Sequence, residues 1–340
     1  MTRVGIPAGL FYHYYYPLWK TFFVDLGAEV ISSSLTNRQT VEKGIAVALD
    51  EACFPIKVYF GHIQELNELG PDYLFLPRLV SVEARSYICP KFMGLPDMIK
   101  ASLPDLPPII DMVVDMSINS KGLEQEIKRV GNIFTTNEKA ISQAFRHGRE
   151  ELCKYRQLMQ TGFSSSEAIE IWEGQERLLT TSADLQLGVL GHGYSLYDRC
   201  ISMNLIGHLR EMGCRVKLVE TCSQDEIEKA AASLPKRVFW TLGRKNVGAA
   251  LHMASDDEID GLVYLACFGC GPDSMIKEFI ERRSNGKPFL GITIDEHTGE
   301  AGLLTRLEAF CDMLRRRRKI DFESNLPPYG QYACGSENSL

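Results

Sequence analysis

The sequence predicts an α/β protein made of two halves, each with a mainly parallel sheet. Two observations carry this. Short apolar runs alternate with helical patterns through the first third, the signature of strand–helix–strand units. After a long polar helical stretch the alternation starts again. A chain of 340 residues suits two domains at roughly 150 residues each. The expected division is an N-terminal α/β domain over 1–130, a helical connector over 131–181, a C-terminal α/β domain over 182–320 and a flexible tail over 321–340. The tail ends in Pro327–Leu340, rich in Gly, Pro, Ser and Asn.

Arg3–Pro7 reads as the first strand. Tyr16 to Leu26 follows as a helix whose apolar face is Leu18, Phe22, Phe23 and Leu26. Gly27 ends that helix, and Ala28–Ser32 is the second strand. Val41–Asp50 is helical, and Tyr73–Pro77 and Ile109–Val114 are further strands. From Asn137 to Thr181 the pattern is helical and polar, with a break at Thr161–Ser166 where serines offer caps. Leu187–Leu190 then reopens the alternation. It continues with a helix at Arg199–Met212, a strand at Val216–Val219 and a helix at Gln224–Ala232. Strands at Leu262–Ala266 and Phe289–Ile294 follow, and Glu300–Arg316 is the closing helix.

Composition narrows the function. A net charge of −7 argues against a general nucleic-acid binder, because phosphate contact needs a basic field. The start, MTRVGIPAGLFYHYYYPLWK, lacks the layout of a secretory signal. No run approaches the ~18–20 apolar residues of a membrane helix. The expectation is a cytoplasmic protein with no membrane partner. Ten cysteines in a reducing compartment are then thiols, metal ligands or catalytic groups.

Four of the ten fall where site residues collect. Cys53 lies in DEACFPIK, Cys89 in SYICPKFMGLPD, and Cys267 and Cys270 follow the strand Leu262–Ala266 in CFGCGPDS. In an open parallel sheet, ligands gather beyond the carboxyl ends of the strands. If the halves face each other there, these thiols meet in an interdomain cleft. Cys53, Cys89 and Cys270 sit beside Pro or Gly, where a core hydrophobe is not expected. Cys153, Cys200, Cys214, Cys222 and Cys311 read instead as small core hydrophobes, and Cys334 lies in the tail. Spacing alone leaves core packing, a redox dithiol, a zinc site and an iron–sulfur site open.

Several segments in order resemble one family: GIPAGLFYHYYYPLWKTFF, DEACFPIKVYFGH, PRLVSVEARSYICPKFMGLPD, GHGYSLYDRCISMNLI, CFGCGPDS and TIDEHTGEAGLLTRLEAF. From about Arg3 to Phe310 the chain resembles the activase-related (DUF2229) proteins of the 2-hydroxyacyl-CoA dehydratase and double-cubane-cluster superfamily. The resemblance implies two Rossmann-like domains with one [4Fe-4S] cluster between them, a double cubane being the variant. Motif by motif, its ligands fall on Cys53, Cys89 and Cys270, with Cys267 as an additional candidate. The first motif commonly reads GIPRGL, and here Ala8 replaces the arginine, so any anion or partner that the arginine held is in doubt.

The resemblance also implies a partner, an ATP-hydrolysing activator that delivers a single low-potential electron. Some relatives pass it to a 2-hydroxyacyl-CoA, forming a ketyl radical that expels hydroxide; others reduce small molecules. The implied protein is oxygen-sensitive and anaerobic. It is either a dehydratase-like lyase acting on an acyl-CoA or a component of an ATP-dependent reductase, as a homo- or heterodimer. The rivals are a non-catalytic electron relay or assembly subunit, and a zinc or dithiol protein. The sequence has no GxxxxGKS/T phosphate loop, so an ATP-driven step falls to the partner.

Further constellations are weighed against plain structure. GHGYSLYD offers His192, Tyr194, Tyr197 and Asp198 to a ligand, against a strand-to-helix turn capped by Asp198. DEHTGEAG offers Asp295, Glu296 and His297 to a ligand or to cluster tuning, against helix capping. His192, Tyr194, Asp198 and Glu296 are the cofactor-binding candidates. RRRRK, Arg315 to Lys319, reads as cations ending a helix, against binding of coenzyme A phosphates. The aromatics Phe11–Tyr16 read as core, against a water-excluding wall.

Overall fold

A computed structural model describes residues 1–118, 121–179 and 183–324, with side chains through Lys319. The first half runs β1 (Arg3–Ile6), α1 (Tyr12–Asp25), β2 (Glu29–Ser32), α2 (Arg38–Val47), α3 (Phe54–Leu69), β3 (Tyr73–Phe75), β4 (Arg78–Ser81), α4 (Pro90–Met93), α5 (Leu95–Ser102), β5 (Ile109–Ile110) and β6 (Val113–Asp115). Then come α6 (Lys121–Gly131), α7 (Glu138–Gln160) and α8 (Ser165–Trp172). The second half runs β7 (Leu185–Gly191), α9 (Gly193–Leu196), α10 (Leu205–Glu211), β8 (Cys214–Leu218), a 3₁₀ turn (Val219–Thr221), α11 (Gln224–Ala232), α12 (Thr241–Ala254), β9 (Gly261–Cys267), α13 (Gly271–Arg282), β10 (Phe289–Ile294) and α14 (Glu300–Ser324).

Each half holds a four-stranded sheet, ordered β2-β1-β3-β5 and β10-β9-β7-β8, and every pairing is parallel. In both sheets the first strand sits in the interior and the chain turns to opposite sides of it. That reversal opens a crevice at the carboxyl ends, between β1 and β3 in one sheet and between β7 and β9 in the other. Strand β9 is buried along its whole length, which is why its sequence is a continuous apolar run rather than an alternating one.

The α/β expectation holds, with corrections inside it. The helix expected at Tyr16 starts a turn earlier, at Tyr12. The strand expected over Ile109–Val114 is two: β5 completes the first sheet, while β6 pairs with β4 in a separate two-stranded sheet. The helix expected over Arg199–Met212 survives only as α10, because Met203 and Asn204 both take positive φ near 51°. Helix α3, which Cys53 caps, is an element the sequence pattern does not predict. Its sequence is apolar on nearly every side, so no single face marks it as helical. Two glycines seat it: a Cβ at Gly44 would collide with the carbonyl of Lys57, and one at Gly61 with that of Thr40, so α2 and α3 cross backbone to backbone.

The connector helices are not detached from the domains. Phe145 of α7 packs on Trp19 and Phe22, and Tyr155 is fully buried. Helix α8 opens with a capping box at Ser164, and Ser166 donates to the Tyr197 carbonyl at 2.8 Å. Across the halves Tyr87 and Trp240 form a parallel bridge, and Arg244 pairs with Glu83 at 2.6 Å. Helix α14 continues past the arginine run, so RRRRK does not end a helix. Arg315 instead grips Asp184 at 2.7 Å, and Arg318 grips Asp260 at 2.6 Å. No described helix is long and apolar enough to cross a membrane. Of the tail expected over 321–340, the first four residues continue α14 to Ser324, and the rest, with Cys334, lies outside the described residues.

Candidate metal centre between the two sheets

The thiols Cys53, Cys89 and Cys270 occupy equivalent local positions. Each is the residue that opens a helix: α3, α4 and α13 respectively. Each helix carries a proline in its first two positions, at Pro55, Pro90 and Pro272. Proline suits those positions because its missing N–H would be unpaired there in any case. The pattern Cys-Pro or Cys-x-Pro thus encodes a thiol at the mouth of a helix, backed by free backbone N–H groups.

The two halves bring these mouths together. Gly269, at φ +75°, turns the CFGC loop so that a Cβ placed on it would stand 3.6 Å from the Cys53 Cα. Only glycine takes that turn without strain. Cys53 and Cys270 are buried and Cys89 is half-buried. Burial is the main influence on all three thiols and pushes their pKa values up. The first-turn N–H groups of Ile56, Lys91 and Asp273, together with the Lys91 ammonium, pull back toward the thiolate. The thiols also act on one another. A thiolate at Cys89 raises Cys53, one at Cys53 raises Cys270, and the Asp273 carboxylate raises all three. Without a cation the site is therefore a cluster of neutral thiols, and a metal must displace their protons.

Beside Cys270, at the β7/β9 crevice, His192 and Asp273 complete a buried triad. One donor atom from each of His192, Cys270 and Asp273 lies within 4.8 Å of the other two. His192 Nδ1 stands 3.2 Å from Asp273 Oδ1, and Tyr194 Oη stands 2.9 Å from the same nitrogen. Tyr264 donates to Asp273 Oδ1 at 2.7 Å, while Asp273 Oδ2 is buried with no hydrogen-bond partner. An orphaned carboxylate oxygen among thiols and an imidazole is a group arranged for a cation. Cys267 is different. It is the last residue of β9, fully buried, and donates to Ser195 Oγ at 3.3 Å.

The other candidates are engaged within the chain. Tyr194 is buried against Phe92 and stacks on His192. Asp198 accepts from the Cys200 and Ile201 N–H groups at 2.9 and 3.0 Å and from the Thr36 hydroxyl of the other half. Thr36 contacts His62, His62 contacts Ser33, and Ser33 accepts the Ala8 N–H, so one polar chain crosses from half to half. Glu296 pairs with Lys57 of α3 at 2.5 Å and ties the helix that starts at Cys53 to the carboxyl end of β10. Asp295 and Thr298 bond to each other at 2.7 Å in a local turn. The aromatics Phe11–Tyr16 belong to the core as expected, with Tyr16 buried in it and Phe11, Tyr12, Tyr14 and Tyr15 packed against it, and Phe11 and Tyr14 also form a wall toward the second half. Phe11 packs on Phe92 and Tyr194, and Tyr14 Oη accepts the Gly193 N–H at 2.8 Å.

Sequence reasoning passed over Asp273, Lys57 and Thr36. Asp273 had a readable signal, since an acid three residues into a helix opened by cysteine is placed to face whatever the cysteine holds. The pairings of Lys57 and Thr36 depend on how the halves meet and leave no local mark.

Comparison with known proteins adds one family. The model for the CoA enzyme activase uncharacterised domain (DUF2229) matches residues 3–221. That span contains Cys53, Cys89 and the segment from His192 to Asp198; Cys267, Cys270, Asp273 and Glu296 lie beyond it. No curated protein matches the chain.

Proposed function

Since the chain belongs to the family of CoA enzyme activase uncharacterised domains, we propose that it is an iron–sulfur protein whose Cys53, Cys89 and Cys270 hold a [4Fe-4S] cluster between the halves. It would work with an ATP-hydrolysing activator that supplies a low-potential electron. The observation that supports the reading is that Cys53, Cys89 and Cys270, two buried and one half-buried, each open a proline-started helix, with the loop before Cys270 packed against Cys53 of the other half. The donor set fits, because thiolates are the ligands iron–sulfur clusters take. Such a cluster supplies one-electron chemistry, and a three-thiolate set leaves one iron for a further ligand.

The chain's own part is positioning and exclusion. First-turn N–H groups and Lys91 offset the negative charge that thiolates bring. Phe11, Phe92 and Tyr194 keep water from the thiols, and Lys57–Glu296 fixes α3 against the second half. Arg315 and Arg318 of the arginine run are committed to Asp184 and Asp260.

The test is anaerobic preparation with iron and acid-labile sulfide analysis of four variants. Cys53→Ala, Cys89→Ala and Cys270→Ala should each lose the cluster, while exposed Cys153→Ala keeps wild-type iron. Equal iron in all four would overturn the reading. One observation favours a second reading, a single metal ion at His192, Cys270 and Asp273, because their donor atoms already lie within 4.8 Å of one another. That site would bind one zinc or iron without sulfide, survive Cys53→Ala and be lost in His192→Ala.

A further inference from the structure

Between the halves lies a cavity of about 410 Å³ that the metal site does not use. The start of α1, the last turns of α7, the 3₁₀ turn and α12 wall it. Phe11 and Tyr14 line it and also touch Phe92, Tyr194 and Gly193, so the aromatic wall separates it from the thiols.

Its lining holds polar groups without partners. His13 is 4% exposed; its Nδ1 meets Ser165 Oγ at 3.1 Å, and its Nε2 has no hydrogen-bond partner. Lys245 and Arg156 line the same cavity, and neither pairs with a carboxylate among the described residues. The guanidinium of Arg156 lies 5.8 Å from the centre of the Tyr15 ring. Glu220, the acid on this wall, is taken by the Tyr197 hydroxyl. Much of the remaining lining is aromatic or apolar, including Tyr15, Tyr155, Met159, Val219 and Ile227. Lys245, partly buried in the cleft, is costly to keep charged unless an anion arrives, whereas exposed Arg156 carries no such cost. Clefts at domain interfaces with apolar walls and a few convergent polar groups are where small molecules bind.

The geometry points to a binding site for an organic carboxylate with an apolar body. Lys245 and Arg156 take the carboxylate, His13 supplies a third donor from Nε2, and the aromatic wall covers the body. Electrostatics agree with the geometry. Burial lowers the pKa of Lys245, and lowers that of His13 to about 4; at Lys245 the Arg156 and Arg244 cations act the same way while the Glu83 and Glu220 carboxylates act against burial, so each base still holds its proton better once a further anion is bound. The proposal does not rest on the metal reading, since none of the three groups is a thiol or a member of the buried triad.

The test is calorimetric titration of the whole chain with 4-phenylbutyrate, its neutral amide and inorganic phosphate. The acid should bind one-to-one, with the amide and phosphate each weaker by roughly tenfold or more. Lys245→Met and exposed Arg156→Met should each weaken the acid by at least about tenfold, with unchanged circular dichroism and melting, and Lys245→Arg should restore binding. Affinity should fall as pH rises, because binding takes up a proton. Cys270→Ala should bind the acid as wild type does, which keeps failure here distinct from failure of the metal reading. Absence of acid binding, an amide as strong as the acid, or Met variants matching wild type would each overturn the site.

Discussion

Asp198→Asn should stabilise the folded chain, and by more in alkali than in mild acid. Asp198 is 5% exposed, and burial, its largest influence, pushes its pKa from 3.8 up to about 6 against three hydrogen bonds that pull it down. A carboxyl whose folded pKa lies above its unfolded one favours the folded state while protonated, and that contribution is lost as pH rises through about 6. A rise from 3.8 to about 6 amounts to about 3 kcal/mol near pH 8. Near pH 5 the same two pKa values leave about 1.6 kcal/mol. Asparagine keeps an oxygen for the Cys200 and Ile201 N–H groups, and its amide can donate to Thr36, whose own hydrogen then turns to His62. Burial holds the pKa of His62 to about 3 and that of His13 to about 4, so both are neutral at the two pH values compared. Urea denaturation of both chains at the two pH values should show the variant's advantage larger by about 1.4 kcal/mol near pH 8 than near pH 5. An advantage that shrinks with rising pH would mean that the hydrogen bonds outweigh burial, and would refute the reasoning.

Three further outcomes concern the packing of the fold. Gly61→Ala should cost about 2–3 kcal/mol in urea denaturation, because its new methyl meets the Thr40 carbonyl and neither helix can yield without moving the other. Gly122→Ala in α6 meets nothing within 4 Å and should instead gain up to about 1 kcal/mol. The buried thiols of Cys214 and Cys311 stand 3.6 Å apart. Diamide, itself reduced to the hydrazine, should join them as a disulfide and lower the mass by about 2 Da. A Cys214→Ser chain should show no linked 214–311 peptide, and failure of the wild type to cross-link would show that the thiols cannot reach bonding geometry.

The parts of the fold that were legible are those whose burial writes a simple pattern. Strand β9 read directly because a strand inside a parallel sheet is apolar without alternation, and edge strand β10 read from its short apolar run although it is only half-buried. Helix α11 read to the residue because Ser223 and Glu226 form a capping box. Helices α3 and α12 did not read, since both are buried on most sides and α12 contains Gly243 and Gly248. At the candidate site, the Cys-Pro and Cys-Gly-Pro contexts singled out Cys89 and Cys270, and Cys53 stands in the same kind of context. The triad was hidden because His192 and Asp273 are 81 positions apart and meet only through the register of β7 on β9. The roles of Asp198 and Glu296 as ties between halves were equally hidden, because Thr36 and Lys57 lie in the other half.

The helix openings at Cys53 and Cys89 belong to the first half, whereas the one at Cys270 follows 181 residues after Cys89. On a ribosome the first half emerges and can fold before the second is made. At the usual 5–20 residues per second, Cys270 trails Cys89 by roughly 10–40 s. During that interval two thiols stand at an open face that the CFGC loop has not yet covered. A nascent chain is therefore most vulnerable to oxidants and to stray soft metals before its synthesis ends, and the thiols are enclosed only once Gly269 closes over Cys53.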